Sequence, residues 1–148
     1  MAGDDEADRT GPLVVRRLIP VPRERVFAAW LDPESLARWM CPGDTTRTTV
    51  ALDPRVGGRF RIVMEHGRGA PEHRGEFLRI EPPALLSFTW ISAGTEERTT
   101  VVTVEFLERE EGTEVVLTHE GLPPGRVEPH RAGWGDIVRK LGAALTAS

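Results

Sequence analysis

The sequence predicts an α+β fold, in which a curved antiparallel sheet of about six to seven strands surrounds one long C-terminal helix. Apolar and polar residues alternate with a period of two over most of residues 45–120, as they do in half-buried strands. The last segment changes to helical spacing, and one helical face then carries Trp134, Ile137, Val138, Leu141 and Leu145. Because such a face must be buried, we expect the sheet to curve around this helix.

The N-terminal region divides into a tail and the start of a single domain. Residues 1–12 contain four acidic side chains and almost no apolar ones, which predicts a disordered acidic tail. The remaining residues, 13–148, have a length typical of one domain. Within that domain, residues 13–19 are predicted to form the first strand.

Two short helices are predicted after the first strand. Pro22 suits the first turn of a helix, where its missing N–H does no harm, and apolar residues then recur with helical spacing. Asp32 is the predicted N-cap of the second helix, with Pro33 at its first position. A Cys-Pro-Gly sequence at residues 41–43 ends this helix.

Six further strands are predicted between residues 45 and 120, separated by segments rich in Gly, Pro or acidic residues. The segment at residues 66–72 is predicted to be a loop, with the next strand at residues 75–81. A bulge near Leu78 would let both Phe77 and Ile80 face the interior, which strict alternation forbids.

Composition excludes several classes of protein. The formal net charge of −4 argues against a nucleic-acid-binding domain, and no run approaches the roughly 18 apolar residues of a membrane span. Cys41 is the only cysteine and no signal peptide is recognised, which together predict a cytoplasmic protein without an internal disulfide. The single lysine, Lys140, among many arginines is typical of a GC-rich bacterial genome.

No motif for a cofactor or a nucleophile is present. There is neither a Gly-x-Ser-x-Gly sequence nor a phosphate-binding glycine loop. A metal site would need His119, His130 and a carboxylate to converge, and no metal-ligand spacing of the His-Glu-x-x-His kind occurs. We therefore expect no cofactor and no metal, and we favour a protein that is not an enzyme while an enzymatic role stays open.

The aromatic residues predict a ligand pocket between the sheet and the last helix. The chain has four tryptophans and no tyrosine, and ligand pockets are mostly apolar with a few placed polar groups. The alternative is that these residues only pack the core. The predicted lining residues are Trp39, Met40, Phe60, Met64, Phe77, Trp90, Val104, His119, Trp134 and Val138.

His119 is the candidate polar group of that pocket. It is in phase with Val115 and Leu117 and so faces the core side of its strand. It would act as a polar anchor or a proton donor there. The alternative is a buried structural histidine that is hydrogen-bonded within the protein.

The terminal helix has two further features of note. Gly133, Gly135 and Gly142 each cost it roughly 0.5–1 kcal/mol relative to alanine. They either leave room for a ligand or let the helix approach the sheet closely. Asp136 and Lys140 form an i, i+4 pair in the favourable order.

Several fragments, taken in order, resemble one known family. They are Val21-Pro22-Arg23-Glu24-Arg25-Val26-Phe27-Ala28-Ala29-Trp30, Asp32-Pro33, Arg38-Trp39, Gly57-Gly58-Arg59-Phe60, Pro82-Pro83 with Leu86-Ser87-Phe88-Thr89-Trp90, Thr118-His119 and Gly133-Trp134. The set is similar to the SRPBCC (START-like) domains of the type related to the activator of the heat-shock protein ninety ATPase (AHSA-type). The resemblance extends from about residue 13 to residue 145.

This resemblance implies a helix-grip fold with a pocket beneath the C-terminal helix. It implies little about reaction, because the superfamily contains lipid carriers, hormone receptors, polyketide cyclases, self-resistance proteins and chaperone regulators. One departure is Met40, which stands where members commonly carry a second tryptophan. Since methionine is more adaptable than tryptophan, a ligand of different shape is expected.

The first hypothesis is therefore a non-enzymatic protein that binds a hydrophobic or aromatic small molecule. The second is a polyketide cyclase-like or hydrolase-like enzyme that uses His119 as its acid or base. The third is a chaperone regulator acting through protein contacts. A homodimer and a chaperone complex both stay open as assemblies.

Overall fold

The computed structural model describes residues 11–147 and confirms the α+β architecture. Seven strands form one antiparallel sheet in the order β1-β7-β6-β5-β4-β3-β2. Their bounds are Leu13–Ile19 (β1), Arg47–Leu52 (β2), Arg59–Glu65 (β3), Glu72–Glu81 (β4), Leu85–Trp90 (β5), Thr100–Arg109 (β6) and Gly112–Glu120 (β7). Of the predicted acidic tail, only Gly11 and Pro12 are among the described residues.

Three α-helices accompany the sheet in this part of the chain. They are Arg23–Ala29 (α1), Pro33–Trp39 (α2) and Val127–Thr146 (α3), and Ala93–Thr95 forms a 3-10 turn. The Asp32 side chain accepts a hydrogen bond from the Glu34 amide at 3.1 Å, so it is the N-cap that the sequence predicted. None of these helices is both long and apolar enough to span a bilayer.

The connections explain how the sheet encloses the helices. The chain leaves β1 through α1 and α2 and enters the sheet at its opposite edge, β2. Each later strand pairs with the one before it until β7 returns to pair with β1. The long helix α3 lies against β1 and α2, while α2 lies against β2. The sheet thereby grips α3, as the sequence predicted.

A bulge in β4 sets which residues face inward. The β4–β5 register shifts between Phe77, which pairs with Phe88, and Arg79, which pairs with Ser87. Leu78 is left at the bulge and is exposed, whereas Phe77 is buried and Ile80 packs against the core. The predicted bulge is confirmed, and it lets two residues an odd number of positions apart face the interior.

Aromatic rings fill the interior of the grip. Trp30 lies 4.8 Å from Trp39 between ring centroids and 6.5 Å from Phe88, which in turn lies 6.1 Å from Trp90. The enclosed space that remains beside these rings is about 20 Å³. That is room for about one water molecule, so the interior is packed rather than hollow.

Candidate functional site

An open cleft lies between the N-terminal half of α3 and strands β3 to β5. Its volume is about 160 Å³. For comparison, an apolar cavity of about 150 Å³ in another protein binds benzene. In the part of the chain that the structure describes, the walls consist of apolar and imidazole side chains and one glycine, with no Asp, Glu, Lys or Arg: Pro42, Met64, His73, Trp90, Pro129, His130, Gly133, Trp134 and Ile137.

Two tryptophans bring the sheet and the helix together in this cleft. The ring centroids of Trp90, on β5, and Trp134, on α3, lie 5.0 Å apart at an interplanar angle of 54°. The imidazole of His73, on β4, lies 5.0 Å from Trp90 at a tilt of 35°. These separations are typical of favourable aromatic pairs, so the three tilted rings form one continuous aromatic cluster.

A buried chain of hydrogen bonds lies behind the cleft. Trp134 donates from Nε1 to Nδ1 of His119 at 2.9 Å. Since Nδ1 accepts, the imidazole proton is on Nε2, which lies 2.7 Å from Oγ1 of Thr100 and donates to it. The Thr100 hydroxyl then donates to the main-chain carbonyl of Trp90 at 2.6 Å. Three strands and α3 are thereby joined through side chains.

This chain leaves His119 neutral and fully engaged. Its side chain is completely buried, and burial lowers its pKa to about 3, with a smaller contribution from nearby His130. Both ring nitrogens are already hydrogen-bonded to the protein. An acid or base role towards a ligand would therefore require one of those bonds to break.

His130 presents its imidazole in one tautomer. Its Nδ1 lies 2.8 Å from the main-chain carbonyl oxygen of Arg126. A carbonyl can only accept, so the proton is on Nδ1 and Nε2 keeps its lone pair. Burial lowers the pKa of His130, and its ring meets that of His119 edge-on at 5.2 Å. Below its depressed pKa it would be charged, but at neutral pH it is an uncharged acceptor.

His73 is a wall residue that the sequence analysis missed. Burial lowers its pKa to about 4, while the carbonyl of Ile62, its partner in the β3–β4 register, opposes the shift. Its Nδ1 is buried without a hydrogen-bond partner of normal geometry among the described residues. The two-residue alternation from Phe77 back through Gly75 reaches His73, so a strand predicted to begin earlier would have found it.

The predicted lining residues are all buried, but they divide between two spaces. The cleft is lined by Met64, Trp90 and Trp134. The small interior space is lined by Met40, Phe60, Phe77 and, again, Trp90. The other members border neither of these spaces: Trp39, Val104, His119 and Val138.

The segment at residues 41–43 closes one side of the cleft. The Gly43 amide donates to Oδ2 of Asp136 at 2.7 Å, and Nζ of Lys140 donates to the carbonyl of Cys41 at 2.5 Å. Pro42 lies between these two anchors and lines the cleft. Asp136 and Lys140 are themselves 3.3 Å apart, which confirms the predicted i, i+4 pair. The pair therefore fastens the loop to α3.

No set of three or more His, Cys, Asp or Glu side chains within residues 11–147 is arranged to hold a metal ion. The candidate site is thus described by its aromatic walls and by the imidazoles of His73 and His130.

One protein-family model matches most of this chain. It is described as Activator of Hsp90 ATPase homolog 1-like protein, and it matches residues 20–146. No curated protein matches the chain at a significant level.

Solved bacterial structures share the whole fold. A protein from Rhodobacter sphaeroides is 25% identical with a TM-score of 0.80, and the match covers 93% of each chain. An AHSA1-like protein from Aeromonas hydrophila is 29% identical with a TM-score of 0.75, covering 92% of each chain. A protein from Mesorhizobium loti is 25% identical with a TM-score of 0.76, over 93% of this chain and 98% of the other.

Proposed function

We propose that this chain, which belongs to the Activator of Hsp90 ATPase homolog 1-like family, binds an uncharged aromatic small molecule in the cleft between α3 and strands β3 to β5. The fold of this family commonly binds hydrophobic ligands. The observation that carries the proposal is the cleft itself, which pairs two indole rings and has no Asp, Glu, Lys or Arg among the described residues of its walls. Apolar pockets with few polar groups are the usual sites for small molecules.

The size of the cleft limits the ligand. About 160 Å³ is close to the volume that holds one benzene ring in a protein cavity. The cleft is partly open to solvent, so it leaves room for a second fused ring to extend outwards. The ligand is therefore a one-ring or two-ring compound and not a long lipid chain.

The packed interior supports the cleft as the site. A ligand in the interior, between the sheet and the α1–α2 region that carries Trp30, Leu36 and Met40, would have only about 20 Å³ to occupy. It would have to displace rings such as Trp30 and Phe88, which are in mutual contact. Displacing packed core side chains has a cost of several kcal/mol, which the cleft avoids. The proposed binding residues are accordingly Met64, Trp90, Trp134 and Ile137, with His73 and His130.

Two glycines of α3 provide a matched test. A Cβ on Gly133 would lie 3.9 Å from Cβ of Pro42, so Gly133→Leu places an isobutyl group in the cleft. A Cβ on Gly135 would meet nothing within 4 Å, so Gly135→Leu is the control. Both changes remove a helical glycine and raise helix propensity by a similar amount.

The experiment is a two-dimensional ¹H–¹⁵N NMR titration with indole and with benzofuran as probes. We expect the indole N–H resonances of Trp90 and Trp134 to shift in the wild-type protein and in Gly135→Leu, and to stay in place in Gly133→Leu. If neither probe shifts these resonances, or if Gly133→Leu responds as the wild type does, the proposed function is wrong.

Catalysis and chaperone regulation rank behind ligand binding. His119 has no ring nitrogen available to a substrate in this arrangement, as both are hydrogen-bonded within the protein. Chaperone regulation through protein contacts stays a separate hypothesis, to which the cleft makes no specific contribution.

A further inference from the structure

We infer that the cleft selects uncharged rings that carry a hydrogen-bond donor, a hydroxyl or a ring N–H, which the imidazoles of His73 and His130 accept. This inference rests on the proposed function and adds the chemical class of the ligand. It also assigns specificity to two histidines for which the sequence analysis predicted no binding role.

Three of the four histidines of the chain lie in the cleft or directly behind it. Among the described residues, only His119 of these three has hydrogen bonds at both ring nitrogens. His119 both donates and accepts within the core. His73 and His130 instead line the cleft. In a mostly apolar pocket, a few placed polar groups provide the specificity, and these imidazoles are such groups.

The tautomer of His130 makes it an acceptor. Its proton is held on Nδ1 by the carbonyl of Arg126, so only the lone pair of Nε2 is left for another partner. A ligand that approached Nε2 with its own acceptor would meet an unfavourable pair of lone pairs. A ligand donor there would complete the hydrogen bonding of the ring.

The same argument applies to His73. Its Nδ1 is buried, so a molecule in the cleft can reach this imidazole only through Nε2. We assign the proton of His73 to the buried Nδ1, which leaves the lone pair of Nε2 for a ligand. Two imidazoles thus line one ring-sized space.

The remaining polar atoms favour the same ligand class. The Nε1 hydrogen of Trp134 is already donated to His119, so it is not available to a ligand acceptor. Within residues 11–147, no Lys, Arg, Asp or Glu side chain lines the walls, so a charged ligand would lose its hydration without gaining an ion pair there. The ligand is therefore neutral and donates.

Indole and benzofuran form the decisive probe pair. They have nearly the same shape, but indole carries an N–H where benzofuran carries an ether oxygen. We expect indole to bind the wild-type protein about five-fold more tightly, which is the typical value of one net hydrogen bond. Dissociation constants from the NMR titration measure the ratio directly.

Matched variants assign the preference to the two histidines. His73→Phe and His130→Phe keep a flat ring and remove the nitrogens. Each variant should therefore lower the affinity for indole relative to the affinity for benzofuran, and in the double variant the two affinities should be about equal. His66→Phe makes the same change in the β3–β4 turn, away from the cleft, and should keep the wild-type ratio.

The outcomes separate the inference from the proposed function. Equal binding of both probes, tighter binding of benzofuran, or a preference for indole that survives in the double variant would overturn the inference while cleft binding stands. If a histidine variant does not fold, the wild-type probe ratio alone still decides it. Binding of neither probe would instead remove the proposed function itself.

Discussion

The indole nitrogen of Trp134 donates its hydrogen to Nδ1 of His119 over 2.9 Å, and this bond fixes how α3 sits on the sheet. It holds the Trp134 ring in one orientation, with its centroid 5.0 Å from that of Trp90. Because the acceptor belongs to β7 and the donor to α3, the bond joins the two walls of the fold at the inner end of the cleft. The aromatic surface of the cleft is therefore preorganised.

Removing the hydroxyl of Thr100 should destabilise the protein strongly. In Thr100→Val, the Nε2 hydrogen of His119 and the carbonyl of Trp90 both lose a buried partner. Each unsatisfied group costs about 1–3 kcal/mol, so we expect the free energy of unfolding to fall by about 2–4 kcal/mol. Urea denaturation measures it.

Thr49→Val is the control, because Thr49 is exposed on β2. Its effect should stay within about 0.5 kcal/mol. If Thr100→Val were as stable as this control, the buried chain of hydrogen bonds would not contribute to stability.

The buried histidines should make the fold sensitive to mild acid. The pKa of His119 is about 3 and that of His73 about 4 in the folded state, whereas an unfolded histidine titrates near 6.5. Between those values the unfolded chain binds more protons, so stability is full above pH 6.5 and falls as the pH drops. At pH 5 each histidine should account for a loss of about 2 kcal/mol.

His119→Gln tests the assignment of this pH dependence. The variant should be less stable than wild type at pH 8, because it loses the core bonds, yet its further loss on going to pH 5 should be smaller by about 2 kcal/mol. Urea titrations at both pH values give the difference, with His66→Gln as the control. An unchanged loss in His119→Gln would contradict the assignment.

The Asp136 carboxylate should protect one backbone amide from solvent exchange. Gly43 donates to it at 2.7 Å, and hydrogen bonds to charged groups contribute about 1.5–3 kcal/mol. We expect Asp136→Ala to raise the exchange rate of the Gly43 amide by about ten-fold or more, read by NMR. Glu128→Ala, which breaks only an exposed pair with Arg131 on the same helix, should leave that rate unchanged.

Gly75 should tolerate no side chain. A Cβ there would overlap the main-chain carbonyl of Thr89 and the ring of Phe60, both of which are held in the sheet. Overpacking of this kind destabilises by about 1–3 kcal/mol, and we expect Gly75→Ala to lie at the upper end. Gly67→Ala, where a Cβ meets nothing within 4 Å, is the control. Thermal unfolding that ranks the two variants equally would contradict this.

Most of the architecture could be predicted from the sequence, because the spacing of apolar residues shows which face of a strand or helix is buried. The alternation of Val102, Val104 and Phe106 identifies a core strand, and all three are fully buried. The break in alternation between Phe77 and Ile80 even located the bulge at Leu78. These features depend on neighbours in the chain and so can be read from it.

The site was only partly predictable, because periodicity gives a facing direction and not a depth. It placed Met64, Phe60 and Val104 on the inner face, but which of them borders open space depends on how rings from different strands pack together. His73 was missed for a local reason. The polar residues before it suggested a loop, whereas the ladder with β3 extends β4 back to residue 72.

The filled interior of the grip has a consequence for its mechanical response. Hydrostatic pressure unfolds proteins in proportion to the empty volume that unfolding eliminates. The space beside Trp30 and Phe60 is only about 20 Å³, so it adds little to the volume that unfolding eliminates. We therefore expect this part of the core to contribute little to unfolding by pressure.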